Sequence, residues 1–302
     1  MEFSNFIVRF WGARGSFPVP GPHTVQYGGN TTCVELEIGG YPLIIDAGTG
    51  IINLGHELIR RSKEQGAPVT ATILFTHIHH DHTQGFPFFA PAYIGTSTLH
   101  LLGPRTFEQG LEDALQHVVI SPNFAVSLRE MPSLKMLHNL EDSQTLLIDY
   151  ERGHLRILHA LHDHIEQTPD TIRVHIHRSY AHPRHGVYCY RVEWRGKSVV
   201  FASDTEGYVG TDRRLAHFAR QTNLLIHDAQ YSYEDYVTMR QGWGHSTPQM
   251  ACDVAKMCNA QQLVLFHHDP MYDDEKVAAL EREGQQLFAN TLAAYEGLEI
   301  VL

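Results

Sequence analysis

Four imidazoles and one carboxylate fall within six residues, His77-Ile78-His79-His80-Asp81-His82, directly after the apolar β-rich run Thr72–Phe75. Imidazole and carboxylate suit zinc, and also manganese or iron, and no cysteine stands nearby to make a thiolate site. A metal that must keep a position open for water takes about three protein ligands. Five ligand-capable residues are too many for one such metal and too few for two closed sites. The spacing therefore suggests two adjacent metals sharing one loop. The plain alternative is a histidine-rich surface loop. Against it, the segment follows a buried strand, and further residues of ligand type stand at other strand ends. Asp204 ends "SVVFASDT", His267 ends "QLVLFHHDP", and His245 precedes a helix start in "WGHSTP".

Such a cluster needs rigid elements to deliver it. Runs with strand character cover residues 6–12, 31–40, 41–50, 69–76 and 99–104 in the first half. In the second half they cover 154–160, 171–177, 187–194, 198–203, 223–229 and 262–267. Glycine turns punctuate them, as in "IGGYP" and "DAGTG". Helices are expected before Gly66, over about 106–118, and near 211–220, 248–258 and 274–294. The helix at 248–258 has a strong start, with Thr247 as cap and Pro248 in its first turn. Strands and helices alternate in both halves with similar rhythm. That predicts two mixed sheets packed together with helices outside, an αββα sandwich.

Composition sets the outer bounds. The chain has 302 residues, 43% hydrophobic and 19% charged, which is ample for one large domain over 1–302. No stretch approaches the ~18 apolar residues of a membrane span, and "MEFSNFIVRFWGARG" lacks the regions of a signal peptide. Cys33, Cys189, Cys252 and Cys258 are scattered, so a reducing cytoplasm is the expectation. A net charge of −11 repels polyanions at long range and disfavours binding along an extended nucleic acid.

With "DAGTG" one strand earlier and "SDT" later, the His-x-His-x-Asp-His motif resembles the metallo-β-lactamase-fold hydrolases. "GHST" and "LVLFHHDP" are similar to the branch containing ribonuclease Z and related phosphodiesterases. "GGNTTCVEL", "LLGP" and "LLIHDA" also fit that branch, over roughly residues 6–270. The resemblance implies two divalent metal ions, zinc ahead of manganese. His77, His79 and His182 match ligands of the first metal. Asp81, His82 and His267 match ligands of the second, and Asp204 matches the carboxylate that bridges them. His162, His164 and His185 compete with His182, because "CYR" stands where the family has Gly-Tyr-Arg. His80 falls between ligand positions and is expected to point away, and His268 is the weaker neighbour of His267. A homodimer is also implied.

Two divalent metals about 3.5–4 Å apart activate a shared water and clamp the oxygens of an in-line displacement. Asp81 would hold the attacking hydroxide, and His245 would donate to the phosphoryl or leaving oxygen. Asp228 is a candidate partner that fixes an imidazole, or else an acid satisfied by backbone donors. Asp46 reads as structural. Ribonuclease Z enzymes of this branch commonly carry a long arm between the first-metal histidine and the bridging aspartate. Here that interval, His182 to Asp204, spans only 22 residues. The expected substrate is therefore a small phosphodiester, with cyclic nucleotides as the class of similar arm-less members. A nuclease acting on RNA or DNA ends, a thioester or lactam hydrolase, and a non-catalytic metal sensor are the alternatives. "FPFFAPAY" (86–93) and residues 162–185, including Arg184, are candidates for a pocket wall, with ordinary core or surface loop as the equal alternative for each.

Overall fold

Alternation in the first strand sets the pattern for the whole molecule. In β1 (Phe6–Gly12), Phe6, Val8 and Phe10 are buried while Ile7, Arg9 and Trp11 are half-buried on the other face. A strand with one apolar face must place it against a second layer. The computed structural model, which describes residues 5–105, 109–150, 152–159, 163, 170–207 and 210–302, shows that layer to be another sheet.

The first sheet has seven strands. They are β1, β2 (Cys33–Ile38), β3 (Tyr41–Ile45), β4 (Thr70–Leu74), β5 (Thr98–Pro104), β6 (Leu134–Leu140) and, beside β1, β15 (Glu299–Val301). The second has eight, in the order β14 (Thr291–Ala293), β13 (Gln262–Phe266), β12 (Leu224–Asp228), β11 (Lys197–Ala202), β10 (Val187–Trp194), β9 (Thr171–Ser179), β7 (Gln144–Asp149) and β8 (His154–His159). Val8, Leu36 and Leu43 from the first sheet and Val174, Tyr190 and Phe201 from the second share one core.

Each outer face has its own apolar layer. α1 (Ile51–Gln65) and α3 (Leu111–Val118) cover the first sheet through Leu54, Leu58, Leu111 and Leu115. α4 (Arg213–Phe218) and α6 (Pro248–Cys258) cover the second through Leu215, Val254 and Cys258. α7 (Asp274–Leu287) packs beside α6 and β14, and two short helices, α2 (His80–Thr83) and α5 (Tyr233–Asp235), complete the set among the described residues. The αββα arrangement expected from the alternation of elements is the one found. No helix among the described residues is long and apolar enough to cross a membrane. All four cysteines are buried free thiols.

Some expectations differ from what is observed. The last helix ends at Leu287, and residues 291–293 form β14 instead, because Phe288 takes an extended conformation that stops the helix. In "FPFFAPAY", Phe86 and Phe89 are fully buried beneath α1 as part of the core.

The direction of the strands decides where the polar residues meet. β3 and β4 run parallel, and so do β11, β12 and β13. Parallel strands bring their C-terminal ends to one edge, where open α/β sheets hold ligands. Asp46 follows β3, the histidine motif follows β4, Asp204 follows β11, Asp228 closes β12, and His267 follows β13. The sheets are stitched near this edge. The Tyr190 hydroxyl donates to the Phe75 carbonyl (2.6 Å), and the Tyr188 amide donates to the Thr76 carbonyl (2.9 Å).

Candidate metal centre

Among the described residues, ligand-type atoms meet at that edge in four overlapping groups, two of which include His245 and two of which hold the residues expected as ligands. In the first, His77 Nε2 lies 3.0 Å from His79 Nδ1, which lies 3.2 Å from His182 Nε2. In the second, His267 Nε2 lies 3.1 Å and His82 Nε2 3.3 Å from Asp81 Oδ2. Asp204 stands between the groups and turns one oxygen to each. Its Oδ1 is 3.7 Å from His77 Nε2 and 3.9 Å from His182 Nε2, while its Oδ2 is 3.3 Å from His82 Nε2 and 3.4 Å from His267 Nε2. Both groups are compact enough to hold a cation.

The tautomers are set by the surroundings. His82 donates from Nδ1 to Asp46 Oδ2 (2.8 Å), and His267 donates from Nδ1 to Gln230 Oε1 (3.1 Å). His182 donates from Nδ1 to the Gly244 carbonyl (3.2 Å). His77 Nδ1 faces Thr76 Oγ1 (3.1 Å), whose own proton goes to Asp46 (2.8 Å). Four imidazoles thus commit Nδ1 to a fixed acceptor and turn Nε2 to the centre. This is the arrangement by which outer partners orient metal-binding histidines. His82 Nε2 is buried with no hydrogen-bond partner among the described residues. Asp46, expected to be structural, serves as the anchor of His82 and also accepts the Thr76 amide (2.8 Å). The donor set, imidazoles and carboxylates without sulfur, fits a dinuclear divalent site.

The backbone is strained where these residues turn inward. Asp46, Asp204 and His267 have φ of 62°, 55° and 65°, a left-handed conformation uncommon outside glycine. Such conformations persist where surrounding bonds over-determine them, and they cluster at functional sites. Close packing adds a second constraint. A Cβ on Gly15 would come within 2.4 Å of the His267 ring, so only glycine fits there.

His245 lies beside both groups. Its ring is stacked on that of His267, with centroids 5.0 Å apart, and its Nδ1 donates to Asp228 Oδ2 (2.8 Å). Asp228 also accepts the amides of Asp204 (3.0 Å) and Ser246 (2.8 Å), so both readings offered for it from sequence describe it. Ser246 is tied to the Thr205 carbonyl (2.6 Å), and Thr247 caps α6 by accepting the Met250 amide (3.4 Å). Each residue of "HST" therefore has a separate task, and His245 is the one left facing the centre.

His80 is exposed, and neither ligand group includes it. His268 instead donates from Nε2 to the Ala294 carbonyl (2.9 Å). Among the competitors of His182, His185 lies outside both ligand groups, and His162 and His164 lie outside the described residues. Sequence reasoning missed Ser16, whose amide binds Asp81 Oδ2 (2.7 Å), and Gln230. It also missed Glu206, which binds the amides of Gly242 (2.7 Å) and Gly244 (2.8 Å) and so holds the loop before His245. Only the glycines of "GARGS" and "GWGHS" hinted at these close approaches.

With cations chelated away, charge makes the centre sensitive to pH. Burial alone would depress His267, but Asp204 and Asp81 outweigh it and hold the imidazole up at about 9. Asp81, Asp204 and Asp46 likewise lift His82 well above the ordinary value against its burial. Burial, then His182, drops His79 to about 4, and burial lowers His77 and His182 as well. From pH about 6.5 to about 9 the folded protein holds protons that the unfolded chain has lost, so raising the pH removes stability. Below about 6.5 the depressed histidines reverse the sign, because the unfolded chain binds protons that the fold refuses. Chelated protein is therefore expected to be most heat-stable near pH 6.5. Saturating divalent cation, which replaces the protons on His82 and His267, should abolish the decline on the alkaline side. Thermal unfolding at pH 5.5, 6.5 and 8.5, with chelator and with cation, measures this directly.

Two packed mixed sheets with a His/Asp centre at their common edge define a metal-dependent hydrolase of the metallo-β-lactamase fold. The profile of the beta-lactamase superfamily domain matches residues 42–268, and the chain belongs to that family. The ribonuclease Z of Halalkalibacterium halodurans is 26% identical over 267 residues, covering 80% of this chain and 82% of that protein. The crystal structure of the metallo-β-lactamase fold protein YhfI from Bacillus subtilis superposes with a TM-score of 0.67 at 16% identity, covering 99% of this chain and all of that one. That of a diphosphatase from the PhnP family superposes with a TM-score of 0.59 at 17% identity, covering 97% and 96% of the two chains.

Proposed function

We propose that this chain is a dinuclear-metal phosphodiesterase that hydrolyses a small phosphodiester, with cyclic nucleotides the first class to test. One observation carries the reading: His245, which the two groups assigned here to the metals leave over, is backed by a buried carboxylate, Asp228, and stacked on His267. His77, His79 and His182 would hold one cation, Asp81, His82 and His267 the other, and Asp204 both. Zinc fits the donor set, and manganese is the alternative. When bound, such a pair lowers the pKa of water and neutralises charge on phosphoryl oxygens.

The remaining work falls to side chains. Asp81, held by the Ser16 amide, orients the attacking water. Asp228 accepts the His245 Nδ1 proton and so holds the ring with Nε2 free to face the centre. His245 Nε2 is then the atom that donates to the departing oxygen.

A nuclease is the second reading, favoured by the relatives that carry the name ribonuclease Z. The interval between His182 and Asp204 speaks against a long RNA. β10, β11 and the turn at Arg195–Gly196 fill most of it, which leaves no space for an arm. We further propose that residues 1–302 act as one domain, that the protein is a homodimer, and that it works in the cytoplasm, where four buried thiols suit reducing conditions. Metal analysis of the purified protein, with assays on 2′,3′- and 3′,5′-cyclic nucleotides and short RNA, tests the function. Turnover of a cyclic nucleotide that stops on chelation supports it. Cleavage of RNA alone selects the nuclease, and full turnover after metal removal overturns both. Light scattering checks the dimer.

A further inference from the structure

Arg178 occupies a position where the alternation of its strand calls for an apolar residue. Ile172, Val174 and Ile176 on β9 all point into the core between the sheets, and Arg178 is the next residue on that face. Across the ladder it pairs with Tyr188, another core residue. An arginine there is costly unless its head emerges into a polar space. Here the guanidinium lines a small cleft of about 50 Å³ that His77, His79 and His182 also line.

The cleft has one sign of charge. Arg105 from the end of β5 also lines it, and among the described residues no aspartate or glutamate does, although the protein carries a net charge of −11. The guanidinium is held in place. Its carbon sits 5.1 Å from the ring centre of Tyr180 and 5.9 Å from that of Tyr188, and one nitrogen donates to the His185 carbonyl (2.8 Å). Among the described residues no carboxylate pairs with Arg178. His185 lines the same cleft with its Nδ1 buried and without a hydrogen-bond partner among the described residues. A fixed guanidinium, a second arginine and an unpaired imidazole nitrogen beside a phosphodiester centre form a site for an anion.

We infer that this cleft binds a second phosphate of the substrate, one that is not cleaved, with Arg178 as its main anchor and Arg105 and His185 as supporting donors. The inference rests on the phosphodiesterase reading and narrows it. The preferred substrate is a nucleotide diester that carries an additional phosphomonoester, in preference to a plain cyclic mononucleotide.

Two probes separate the claims: adenosine 2′,3′-cyclic phosphate, and the same compound with a 5′-phosphate. The 5′-phosphorylated compound should have a kcat/KM about 10- to 100-fold higher, the scale of a charge-assisted hydrogen bond, and the gain should lie in KM. Arg178→Met keeps the aliphatic stem against Tyr180 and Tyr188 and removes the charge. It should erase that advantage, lowering kcat/KM for the 5′-phosphorylated compound far more than for the plain one. Arg105→Met, at an exposed position, should reduce the advantage in part and serves as the variant free of any folding risk. Equal kcat/KM for the two compounds, or equal losses on both in Arg178→Met, overturns the inference. Calorimetry of adenosine 3′,5′-bisphosphate against adenosine 3′-monophosphate on the metal-loaded protein gives a readout independent of catalysis. A preference for the bisphosphate that disappears in Arg178→Met supports the subsite even if neither diester is hydrolysed, in which case the phosphodiesterase reading alone falls. No preference overturns the subsite whatever the hydrolysis shows.

Discussion

Asp204→Asn should reduce phosphodiester turnover by at least about a thousandfold, the scale on which removal of one transition-state electrostatic group is felt. The same substitution should bring the metal content of the purified protein from two per chain to one or fewer. Asparagine has the shape of aspartate and tolerates the left-handed φ of 55° at this position, so the backbone need not move. What changes is charge. Asp204 offers one oxygen to His77 and His182 and the other to His82 and His267, and it lies well below the usual carboxylate range because His267, His82 and His77 outweigh its burial. An amide presents only one acceptor oxygen, so it can serve one group but not both. A variant that keeps two metals and wild-type turnover would remove Asp204 from the bridging role.

His245→Ala should behave differently. Metal content should hold, since Asp228 still accepts the Asp204 and Ser246 amides and His245 belongs to neither ligand group proposed for the two metals. Turnover of an ordinary nucleotide diester should fall by about 10²- to 10⁴-fold, the usual contribution of a general acid. A diester with a p-nitrophenyl leaving group departs without needing a proton, so its hydrolysis should fall far less. If both diesters lose activity equally, His245 only shapes the centre. Asp228→Asn should reproduce the pattern more weakly, because an amide oxygen still accepts from His245 Nδ1 but holds the ring less firmly.

The parts of this site that could be read from the sequence share one property: each lies in a continuous stretch in which an apolar run stops at a ligand-type residue. "TILFTHIHHDH", "VVFASD" and "LVLFH" all have this form, and the period of the strands fixes both the element and the end from which the side chain leaves it. His267 could be separated from His268 because only the first follows the strand directly. The remaining parts depend on contacts across long separations. Ser16 reaches Asp81 from 65 residues away, and Gln230 reaches His267 from 37. Neither residue type announces such a role. Arg178 was hidden for a related reason. In "TIRVHIHRS" it reads as one more polar residue near a turn, and its inward direction follows only once the register with Tyr188 is known. The strands that escaped notice were β6, with its polar, half-exposed "LKMLHNL", β7, and the three-residue β14 and β15.

Of the seven side chains proposed to grip the cations, His77, His79, Asp81 and His82 come from the first sheet and His182, Asp204 and His267 from the second. Loaded ions would therefore rivet two halves that are otherwise joined by an apolar core and a few bonds. The sheets could not slide past each other without stripping ligands from both ions. Resistance to protease and capacity for turnover should accordingly disappear together as the ions are withdrawn, in one step and not in two.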